Sequence, residues 1–167
     1  MAEANDAIVE NIEELDKDKE VAEIISKEKA ELILKLKTKH PGLSLFLVTT
    51  PRNGLFAVRP QEMGDVRVGT KTVEDFVTKK ITDLGGNDHL KGLADDEREK
   101  IIREIDAEAA DISNDIALKR CVIYPDDFAA RLDSDEPGKG VPAGIVPLLL
   151  EKILEVSGWV DVAVEEI

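Results

Sequence analysis

Residues 43–59 read Leu43-Ser-Leu-Phe-Leu-Val-Thr-Thr-Pro-Arg-Asn-Gly-Leu-Phe-Ala-Val-Arg59, and this stretch decides the fold class. Two runs of aliphatic, aromatic and β-branched residues, 43–50 and 55–59, flank a turn containing Asn53-Gly54. Asn-Gly is the strongest short hairpin signal because both residues accept positive φ. A two-stranded hairpin is marginal in water, so it must pack on a helix or find another strand. Val66-Arg67-Val68 and residues 160–164 are the two candidates for that third short strand. Everything else with a clear period reads as helix. The expected fold is α+β and mainly α-helical, a helical body carrying one β-hairpin over about residues 43–59.

Upstream of the hairpin, residues 7–39 read as helix in two pieces. Ile8, Ile12 and Leu15 recur at helical spacing, an interruption follows at residues 16–20, and a second stripe runs through Val21, Ile25, Leu32 and Leu36. His40-Pro41-Gly42 stops it. The first 20 residues also suit a mobile acidic arm that folds on a partner.

Downstream, Thr72 is a candidate N-cap for a helix running to Leu84, with Val73, Phe76, Val77, Ile81 and Leu84 as its apolar stripe and Gly85-Gly86 as its stop. Residues 85–92 read as a polar loop. Asp95 opens the longest helix, whose stripe is Ile101, Ile105, Ala109, Ile112 and Ile116, and whose first turn is rich in acid. This helix leads into Cys121-Val-Ile-Tyr-Pro125. After an acidic, loop-like stretch at residues 133–140, a short and very apolar helix starts at Pro147. Its Leu148, Leu149, Leu150, Ile153, Leu154 and Val156 cover most of the circumference, as in a helix that is buried on several sides or docks a partner. Ser157-Gly158 ends it. Trp159 then begins an alternating tail at Val160, Val162 and Val164. A single domain over residues 1–167 is expected, with residues 160–167 as a tail.

Composition narrows the function. The chain has 43% hydrophobic, 35% charged and only 4% aromatic residues, which fits a folded protein with an aliphatic core. Its net charge of −14 opposes binding to a phosphate backbone, so no nucleic-acid partner is expected. The acid is uneven. Lys and Arg against Asp and Glu give −4 for residues 1–40, +1 for 41–92, −8 for 93–136 and −3 for 137–167. Met1-Ala-Glu-Ala lacks the basic, apolar opening of a signal peptide, and residues 145–150 are too short to span a bilayer, so no membrane partner is expected. One cysteine forms no internal disulfide, as expected of a protein of the cytoplasm.

Chemistry is sparse. Asp133-Ser-Asp135 begins like a calcium loop, but Pro137 and Gly144 fall where ligands are required. His40, His89 and Cys121 are the only soft metal ligands and have no paired spacing. Cys121 sits in an apolar run beside Val122 and Ile123, with no base tied to it. No catalytic, cofactor-binding or metal site is expected, and no cofactor. Trp159 and the apolar helix are the features that suit an interface.

Three motifs follow in order: Cys-Val-Ile-Tyr-Pro at 121–125, Pro-Ala-Gly-Ile-Val-Pro at 142–147 and Ile-Leu-Glu-Val-Ser-Gly-Trp at 153–159. Together with Phe56-Ala-Val-Arg-Pro60 after the hairpin, they resemble small phage tail-assembly-chaperone-like proteins and related tail or baseplate assembly proteins. The long N-terminal helix departs from that pattern. The resemblance implies a non-enzymatic protein of virion morphogenesis in the cytoplasm of the infected host cell. It would bind a tape-measure, tail or baseplate protein through an aliphatic groove lined by Ile145, Leu149, Ile153 and Trp159. A minor structural component retained in the virion has the same chemistry. From the charge alone, the alternative is an acidic inhibitor or nucleic-acid mimic that occupies a basic groove.

Overall fold

The computed structural model describes residues 8–11, 27–50 and 54–158, with backbone alone for 8–11 and 27–28. In chain order the elements are β1 (Ile8–Asn11), α1 (Lys27–Lys39), β2 (Phe46–Thr50), β3 (Gly54–Val58), α2 (Met63–Asp83), α3 (Gly86–Lys91), α4 (Asp95–Cys121), β4 (Val122–Tyr124), α5 (Phe128–Leu132) and α6 (Ile145–Val156). The fold is α+β and mainly helical. It divides into two compact units, residues 1–61 with 121–167, and residues 62–120.

The first unit is built on the hairpin. Strands β2 and β3 pair antiparallel, from Phe46 opposite Val58 to Thr50 opposite Gly54. Gly54 closes the turn at φ +84°, a conformation glycine reaches without a Cβ clash. The sheet is antiparallel throughout, in the order β1-β2-β3-β4. Two of its strands differ from the expected partners. The third is β4, where Ala57 faces Tyr124 and Val58 faces Val122, and Arg59 N–H donates to the Cys121 carbonyl at 2.9 Å. On the other edge, Ile8–Asn11 pairs with residues 46–49 as a strand, not the start of a helix. Val66-Arg67-Val68 lies inside helix α2, so it is not a strand. Residues 160–164, and the acidic and apolar positions of residues 12–26, lie outside the described residues.

Helices cover both faces of this sheet. Alternation along the strands sends Leu47 and Ala57 to one face and Val48 and Phe56 to the other. On the first face, Leu32, Ile33 and Leu36 of α1 meet Leu45, Leu47 and Ala57, with Leu43, Leu55, Ile123 and Tyr124 packed around them. On the second, α6 lies against β2 and β3, and the Phe56 ring meets Phe128 of α5 edge-on at 6.2 Å. A sheet covered on both sides needs apolar residues at consecutive strand positions, which is why Leu47-Val48 and Phe56-Ala57-Val58 are all buried. Each large aliphatic or aromatic side chain so buried contributes about 1.5–3 kcal/mol of transfer free energy.

The end of α6 ties into the same unit. Ser157 Oγ donates back to the Ile153 carbonyl and accepts from the Gln61 N–H at 2.8 Å. The hydroxyl thus caps the helix and fixes the chain as it leaves β3. Helix α6 opens at Ile145 rather than Pro147, so the proline is the third residue of the first turn. Its missing N–H would have had no partner inside the helix in any case.

Candidate interaction surface

Residues 62–120 form a helical hairpin. Helix α2 begins nine residues before the expected Thr72 cap, at Met63, and Thr72 instead donates from within the helix to the Val68 carbonyl. Asp65 starts it: its Oδ2 accepts from the Glu62 N–H at 2.9 Å, one half of a capping box. Its Oδ1 accepts from Arg120 Nε at 2.6 Å, joining the first turn of α2 to the last turn of α4. Asp65 is 2% exposed while the Arg120 side chain is 44% exposed, so the pair is a buried anion held by a half-solvated cation. Farther along, Lys80 Nζ pairs with Glu108 at 2.8 Å. The positions rise along α2 as they fall along α4, so the two helices run antiparallel.

The turn between them is made by Gly85 and Gly86, both at positive φ (+93° and +83°), where any Cβ would be strained. The stretch expected as a loop then holds the short helix α3, whose Leu90 is buried.

The stripes expected on both helices are present but only partly covered. Val73, Phe76, Val77, Ile81 and Leu84 on α2, and Ile101, Ala109, Ile112 and Ile116 on α4, all sit at intermediate exposure. Ile105 alone in these stripes is buried. Beside them Met63, Val68 and Ile102 are exposed at 64, 42 and 45%. Two helices laid side by side shield chiefly the faces that touch.

Charge on the two helices differs. Residues 63–83 carry four Asp or Glu and four Lys or Arg, and residues 95–121 carry nine and five. Within 104–115 there are five acids and no base. Glu97, Glu104, Glu108, Asp111 and Asp115 follow one another at spacings of seven, four, three and four, so they form a line along one edge of the isoleucine stripe. Glu108 pairs with Lys80 and Asp115 with Lys119. No described cation pairs with Glu104, Asp106 or Asp111.

Of the residues expected to line a groove, Ile145, Leu149 and Ile153 come together on one side of α6, at 3, 0 and 1% exposure. They fill the second face of the sheet. Trp159 lies outside the described residues. Outward from α6 stands Leu154, at 40% exposure. The partly covered stripe of the helical hairpin was visible in the sequence as period alone. Nothing in a single stripe says whether another element covers it.

The remaining reactive side chains stand apart. Cys121 is fully buried at the junction of α4 and β4. His40 follows α1, with its Nε2 buried and without a hydrogen-bond partner, and His89 is exposed on α3. Among the described residues no group of three His, Cys, Asp or Glu is placed to hold a metal ion, and no helix is long and apolar enough to cross a membrane. Comparison with protein-family models, curated proteins and solved structures finds no match to this chain.

Proposed function

We propose that the chain is a non-enzymatic protein of phage virion morphogenesis that binds a tape-measure, tail or baseplate protein in the infected host cell. The observation that carries the binding role is the incompletely covered apolar stripe of residues 62–120. Incompletely covered aliphatic surface on paired helices suits a shield for another protein's apolar segment. The phage assignment rests on the sequence motifs at 56–60 and 118–159. The binding surface in this reading is the helical hairpin, because the aliphatic face of α6 is occupied by the protein's own sheet.

The test is a tagged pull-down from virus-producing cells with mass spectrometry of the retained proteins. Recovery of an identified tape-measure, tail or baseplate protein is expected. Recovery of none of these, with the tagged chain folded and abundant, overturns the assignment. Assay of purified particles then separates a transient chaperone from a component that stays in the virion.

The acid line on α4 favours a second reading, an inhibitor that occupies a basic groove as a nucleic-acid mimic. Such binding falls steeply as salt rises, whereas burial of aliphatic surface does not.

A further inference from the structure

We draw no further inference here: the strongest candidate, the partly exposed apolar stripe of α6 at Val146, Leu150 and Leu154, carries nothing because nothing in the structure shows what covers it.

Discussion

The two units of this protein use similar apolar residues to opposite effect. Around the sheet, Leu36, Leu47, Val48, Phe128, Leu149 and Ile153 are nearly inaccessible to water, because helices lie on both faces. In the helical hairpin, Ile101, Ile112 and Ile116 of α4 stay half-buried. The difference lies in the number of layers rather than in composition. A two-faced sheet with a helix on each side closes its core, and a pair of helices does not.

The strongest way to break this comparison is to remove the hairpin. Gln61 and Cys121 lie where β3 and β4 are joined by the Arg59–Cys121 hydrogen bond, so a short Asn-Gly turn in place of residues 62–120 leaves the sheet closed. The shortened chain is expected to unfold cooperatively in urea and to lose the helical circular dichroism of the deleted part. A molten remainder would show that the first unit's core depends on the second.

Next come truncations in the two kinds of core. Leu149→Ala should cost about 2–5 kcal/mol in chemical denaturation, as for a fully buried leucine. Ile112→Ala, at a half-buried site, should cost less than half of that, and equal costs would erase the difference between the two units. Between them falls Arg120→Ala, which takes a charged partner from the buried Asp65 carboxylate and should destabilise by about 1–3 kcal/mol. Asp65→Asn leaves only a half-exposed guanidinium behind and should cost less, so a reversed order would show that Asp65 is hydrated.

The smallest effect belongs to the surface of the first unit. The hydrogen bond from Lys39 holds the Asp126 carboxyl below its ordinary value of 3.8, with the charges of Lys39, Lys35 and His40 acting in the same direction. A carboxyl that is more acidic folded than unfolded stabilises above the unfolded value, and the contribution is lost as pH falls below 3.8 through the folded value. Asp126→Asn should therefore lower Tm slightly at neutral pH, with the difference closing in strong acid. Both groups are exposed, so a large shift in Tm would be unexpected.

How much was legible in the sequence follows the range of the interactions. The hairpin, helix α4 and the stop after α1 are set by local turn chemistry and period, and residues 43–59, 95–121 and 40–42 show them plainly. The sequence alone starts helix α2 too late, because Gly64 and Gly69 weaken local propensity and Val66-Arg67-Val68 alternates like a strand. The Asp65–Arg120 bond that secures its first turn comes from 55 residues away. Ile8–Asn11 is a strand because β2 offers it an edge, and four residues carry too little period to choose between strand and helix. The stripe of α6 announced burial or docking without deciding, and the sheet decided it.

The hairpin of α2 and α4 begins after β3 and ends before β4, two adjacent antiparallel strands, so in the topology of the sheet it occupies the place of a turn. Its length is thereby uncoupled from strand register. Adding seven residues to each leg would extend it by about 10 Å without moving a single pair in the sheet. Reach is therefore a quantity that mutation can tune in this protein by insertion, independently of the fold that anchors it.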